Sequence, residues 1–202
     1  MNKKSLLFAA LAFSFHLTAA QATLIDTGFG AVYSTEADIT LLKNISYVEK
    51  MNWYEAVAWA DSLTFGGHSN WRLPSHGGCR NNEWICNDMG EIGIVYYTEL
   101  GIPFDPYPSQ PVDFDKIDAF KNIRTGLYWF SEDDTDNPAE QAWYFSLDYG
   151  SQDSISKSQL HTAWAVADGD VFGVAVMEPS SFILMTTGLA WLGFTSRKKK
   201  PV

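Results

Sequence analysis

The chain has 202 residues, 46% of them apolar or aromatic, which suffices for one domain with a substantial core and argues against a disordered chain. Its formal net charge is −10, and Lys3, Lys4, Arg197, Lys198, Lys199 and Lys200 lie at the two ends, leaving eight basic residues against all 24 acidic ones between them. So acidic a body repels phosphate backbones, which excludes nucleic acid as a partner and otherwise favours solubility.

The first 22 residues carry an export pattern. Lys3 and Lys4 form a positive start, Leu6 to Leu17 an apolar run, and Ala20-Gln21-Ala22 a small-residue cleavage site. The run is shorter than the ~20 residues of a membrane span, so it reads as a signal peptide leaving Thr23 as the mature start. The Sec machinery and signal peptidase are the implied first partners. Export also colours the reading of Cys79 and Cys86, because a nearby pair in an oxidising compartment forms a disulfide. The competing reading, a metal site with His68 and His76, meets no standard zinc spacing.

Residues 23–48 are rich in β-branched and apolar types and predict one or two strands. "MNWYEAVAWADSLTF" then changes period, placing Trp53, Val57, Ala60 and Leu63 or Thr64 on one helical face, with Ala56 and Trp59 beside it. Asn52 and Glu55 have capping-box spacing, and Gly66-Gly67 is the expected stop. In the loop after it, Trp71 and Leu73 are expected inward, Arg72 seeking an acidic partner. "NDMGEIGIVYYTELG" predicts a second helix, with Asp88 as cap, Ile92, Val95, Tyr96 and Leu100 buried, and Gly101 at its end. Four prolines across 102–123 predict a long loop. "TGLYWFSE", "QAWYFSLDYGSQDS" and "HTAWAVADGDVFGV" read as strands. The sum is an α+β domain over residues 23–176 with a small antiparallel sheet.

The order of these pieces resembles the Lcl C-terminal domain family, bacterial domains within the C-type-lectin-like superfamily. "NWYEAVAWADSLTFGGHSNWRLPS" carries most of the likeness, followed by "MGEIGIVYYTELG", "TGLYWFSE", "AWYFSLDYG" and "AWAVADGDV". The resemblance implies a C-type-lectin-like fold: two helices packed on small antiparallel sheets, with a long loop region that carries ligands in some relatives. It does not carry over the calcium-dependent sugar site. The loop holds Gln110-Pro111-Val112 where those lectins have Glu-Pro-Asn or Gln-Pro-Asp, and no Trp-Asn-Asp occurs.

Calcium in another geometry is the one cofactor the acidic clusters leave open, with Asp133, Asp134 and Asp136 as candidates. Neither that cluster nor Asp113, Asp115 and Asp118 fits an EF-hand loop: Pro138 stands where the first needs Gly, and Ile117 replaces a ligand in the second. No hydrolytic elbow, His-Glu-x-x-His or phosphate-cradling loop occurs, so no catalytic residue is assigned. Formylglycine-generating enzymes belong to the same superfamily and use a cysteine pair, but Cys79 and Cys86 precede the long loop instead of following it. Trp84, Tyr107, Trp143 and Tyr144 are the candidate ligand-binding aromatics. The adjacent pair on a strand sends one ring outward.

The tail, "VMEPSSFILMTTGLAWLGFTSRKKKPV", holds an uncharged span from Pro179 to Ser196, marginal as a spanning helix and followed by a basic stop. Glu178, Pro179 and Ser180, that span (about 180–196), and Arg197, Lys198, Lys199 and Lys200 together resemble a PEP-CTERM sorting signal. Met177 replaces the motif's first proline. The resemblance implies an exosortase-type processing peptidase, transient residence in the inner membrane of a Gram-negative bacterium, and a final place at the cell surface or in the exopolysaccharide matrix. The expectation is therefore a non-catalytic surface protein whose lectin-like domain binds polysaccharide or a matrix protein. The alternatives are an enzyme on that scaffold, formylglycine-generating-like or hydrolytic, and a permanently anchored envelope protein.

Overall fold

A computed structural model of the chain describes residues 23–77, 90–103, 112 and 117–173. The export segment 1–22, the Cys79–Cys86 loop with Trp84, the helix cap Asp88, Tyr107, Asp113 and Asp115, and the tail 177–202 lie outside the described residues.

The stretch 23–48 forms three strands, one more than the expected maximum. β1 (Leu24–Asp26), β2 (Ala31–Ser34) and β3 (Ile39–Leu42) pair antiparallel in sequence order. Short polar side chains make the breaks. Asp26 Oδ1 accepts the Gly28 N–H at 3.0 Å and Thr27 Oγ1 accepts the Phe29 N–H at 3.2 Å, turning the chain into β2. Ser34 Oγ accepts the Ala37 N–H at 3.0 Å before β3. β3 is buried along its whole length, which its "ITLL" sequence suits.

Helix α1 (Trp53–Ser62) opens on the expected capping box. Asn52 Oδ1 accepts from the Glu55 N–H and Glu55 Oε2 from the Asn52 N–H, both at 3.0 Å. Ala56 and Ala60 are buried. The helix ends earlier than predicted, at Ser62, with Leu63 extended. Gly66-Gly67 does not stop it. The two glycines, at φ 61° and 86°, instead form a two-residue turn whose flanks Phe65 and His68 exchange both backbone hydrogen bonds. Beyond it Trp71 and Leu73 point inward, and Arg72 finds Glu91 and Asp168.

α2 (Gly90–Ile94) runs directly into a π-helical turn over Val95–Glu99, burying Ile92, Val95 and Tyr96. The widened turn is closed by the Leu100 N–H donating to the Val95 carbonyl at 2.9 Å.

β4 (Leu127–Asp133), β5 (Gln141–Ser146) and β6 (Ser151–Ser156) make a second antiparallel sheet, with a bulge in β4 between Trp129 and Asp133. The stretch from His161 does not begin as a strand. Only β7 (Val166–Asp168) is one, and it closes the open edge of β3. Residues 161–166 form a strap that bonds to both sheets. Thr162 exchanges backbone hydrogen bonds with Leu127 and Trp129 of the second sheet, while the Ala165 carbonyl accepts from Leu42 of the first at 3.3 Å. Met51 pairs with His161 and Arg72 with Val166. The described residues are thus α+β, with two helices and two small antiparallel sheets.

Tryptophans pin these layers. Buried indoles need a partner for their one N–H, and four find it on a backbone carbonyl. Trp53 donates to Phe130, Trp129 to Met51, Trp164 to Leu42 and Trp71 to His68, at 2.9–3.0 Å. The first fixes α1 to β4; the third ties the strap to β3.

Candidate functional site

Of the adjacent aromatics on β5, Trp143 is the inward one. It is 1% exposed and lies under the His76 ring, with centroids 4.7 Å apart. That removes it from ligand contact, because its face is already covered. Tyr144 is the outward member, half-buried and 6.3 Å from the His161 ring. Burial, then Asp153, pushes its phenol pKa up, so the hydroxyl stays protonated at neutral pH.

The calcium candidates lie where β4 leaves its bulge, and they face different partners. Asp133 pairs with Lys157. The Lys157 ammonium also donates to the Pro138 carbonyl at 2.8 Å and sits 4.2 Å above the Trp53 ring. Asp134 is 2% exposed; its Oδ1 accepts the Asp136 N–H at 2.7 Å and its Oδ2 the Ser154 hydroxyl. Asp136 is exposed. Among the described residues, no group of three or more His, Cys, Asp or Glu side chains converges on a point that could hold a metal.

Glu132, beside them, is the strongly perturbed acid. Burial alone would raise its pKa. The His76 ring, the Ser75 hydroxyl at 2.7 Å, the His76 N–H at 3.1 Å and Ser131 together outweigh that and hold it at about 2. His76 Nδ1 comes no closer than 3.4 Å to the carboxylate, without the alignment of a hydrogen bond. This arrangement orders the entry to segment 78–89.

The described residues also enclose a partly open cavity of about 420 Å³ beside Tyr128 of β4, which sequence reasoning missed. That volume falls within the range of small-ligand sites. Its walls come from four places: the segment Ile45–Lys50 between β3 and α1, the segment Asn122–Thr125 before β4, Tyr128 on β4, and Thr162 on the strap. Local hydrogen bonds set each wall. Val48 N–H donates to the Ile45 carbonyl at 2.9 Å, and the Ser46 N–H to Asn44 Oδ1 at 2.9 Å. Lys121 N–H reaches across to the Lys43 carbonyl at 2.8 Å, holding the second wall against the first. The buried Tyr128 hydroxyl donates to the Arg124 carbonyl at 2.5 Å, and burial pushes its pKa up. The signal that could have found the site is weak: each wall is a short run of mixed polarity or a single residue, and only the fold brings them together.

Compared with known protein families, curated proteins and solved structures, the chain matches none.

Proposed function

We propose that this chain is an exported, non-catalytic binding protein whose α+β domain has a C-type-lectin-like fold and takes a saccharide. The element order, two helices between small antiparallel sheets, supports the fold reading. The observation that carries the binding reading is the cavity beside β4, where Ser46, Asn122, Thr125 and Thr162, all able to hydrogen-bond, are among the residues lining a space of sugar size. The export signal and the PEP-CTERM-like tail around Glu178 and Pro179 address the domain to the surface or matrix through an exosortase-type peptidase.

A glycan array probed with and without a calcium chelator tests the binding reading. Selective, saturable binding to a saccharide class is expected; no binding in either condition refutes it. Mass spectrometry of the protein from its producing cells tests the address. The expected mature form begins at Thr23 and lacks the residues after the Glu178-Pro179 region. An intact terminus at Val202 would instead leave a permanently anchored protein.

A further inference from the structure

Basic residues are scarce between the two ends of this chain, and three of the six described are spent on carboxylates. Lys43 pairs with Asp26, Arg72 with Glu91 and Asp168, and Lys157 with Asp133. Lys50, Lys121 and Arg124 have no ion-pair partner among the described residues, and two of the three, Lys50 and Arg124, line the cavity beside β4, one from each long wall. Glu49 is the one acidic residue that lines the cavity with them.

We propose that this cavity binds a monosaccharide-sized, polyhydroxylated anion carrying a carboxylate, that is, a uronic acid unit, with Lys50 and Arg124 holding the carboxylate. The inference rests on the saccharide reading above and names its class. An ammonium and a guanidinium supply the positive pole, and Arg donates in the fork that matches a carboxylate. Asn122 and Thr162 supply the mixed donors and acceptors that sugar hydroxyls need. The half-buried Val48 gives the cavity apolar lining, while the buried Tyr128 hydroxyl is already committed to the Arg124 carbonyl. Glu49 also lines the cavity, a negative charge that weighs more heavily against polyanions such as free phosphate than against a single carboxylate.

The test titrates the full chain with glucuronate, glucose and inorganic phosphate, following backbone amide shifts and heats of binding. Glucuronate is expected to bind at least about tenfold more tightly than glucose or phosphate, with shifts centred on residues 45–50 and 122–125. The double variant Lys50→Gln, Arg124→Gln is expected to lose that preference while keeping the parent melting temperature. Each variant alone gives an intermediate loss, which covers the case in which the double variant fails to fold. Equal affinity for glucose and glucuronate overturns the assignment of charge but leaves the saccharide reading standing. Phosphate binding as tight as glucuronate overturns the sugar assignment. If glucuronate shifts appear away from these walls, or nothing binds here although the glycan array is positive, the site itself is wrong and the saccharide reading survives elsewhere.

Discussion

Arg72 and Glu91 meet fork to fork. Nη1 donates to Oε2 at 2.8 Å and Nη2 to Oε1 at 2.6 Å, joining the loop after α1 to the first turn of α2. The hydrogen bonds to Glu91 come first in raising the guanidinium pKa, burial opposes them, and Asp168 adds to the rise, so its charge is permanent. Glu91 Oε2 also accepts the Ser75 N–H at 2.8 Å. Arg72→Ala should therefore leave a mostly covered carboxylate and lower stability by about 2–3 kcal/mol. Arg72→Lys should recover only part of it, because an ammonium cannot donate in two parallel bonds. Urea denaturation of the three proteins checks this; a lysine variant as stable as the parent would contradict the bidentate account.

Glu132 sets an acid limit on the fold. Its folded pKa of about 2 lies below the ordinary 4.5, so its contribution is complete above 4.5 and is lost as pH falls towards 2. Glu132→Gln should cost about 2 kcal/mol at neutral pH, from lost charged hydrogen bonds. It should also flatten the pH dependence of the urea midpoint in that window. Parallel pH profiles for parent and variant would exclude Glu132 as the group responsible.

His161 is held below the ordinary histidine value of 6.5, first by burial and then by the Lys50 charge. Removing Lys50 should raise the His161 pKa without restoring it fully, since burial remains. The neutral ring favours the fold above 6.5, and this contribution declines as pH falls through the lowered folded value. Titration of the His161 ring protons by NMR in the parent and in Lys50→Ala reads the shift directly. An unchanged pKa would place Lys50 too far away, and with it one wall of the cavity.

Gly90 opens α2 at φ 67°, and a Cβ there would collide with the Ser75 carbonyl and the His76 backbone. Backbone atoms cannot swing aside as a flexible side chain can. Gly90→Ala should thus lower stability by about 2 kcal/mol or more, combining left-handed strain with displacement of segment 75–76. Thermal melts check the loss. A loosened Ser75–Glu132 contact should appear as faster amide exchange at His76.

The parts legible in the sequence are those decided within a few residues. The Asn52–Glu55 capping box is an i, i+3 relation, and Trp71-Arg72-Leu73 alternates by simple strand logic, so both were readable. That Arg72 needs an acid was readable too; which acid was not, because Glu91 and Asp168 lie 19 and 96 positions away. Alternation on β5 requires one ring of Trp143 and Tyr144 to face out, but only the packing of His76 decides that Trp143 is the covered one. The Gly66-Gly67 pair suits a helix stop, yet two successive glycines also satisfy a tight hairpin, and local chemistry does not separate the two uses. The cavity was invisible for a related reason. Its cations sit in separate loops, and the bonds that align them, Lys121 to Lys43 and Thr162 to Leu127, are all long-range.

The strap that ends in β7 also sets a timetable. Trp164 donates to the Leu42 carbonyl 122 positions earlier, and the second edge of β3 stays open until Val166–Asp168 arrives. A chain emerging N-terminus first thus carries its most apolar strand with one edge uncovered almost until the domain is fully delivered. A chain truncated before Trp164 has no route to the folded state by adding local structure alone.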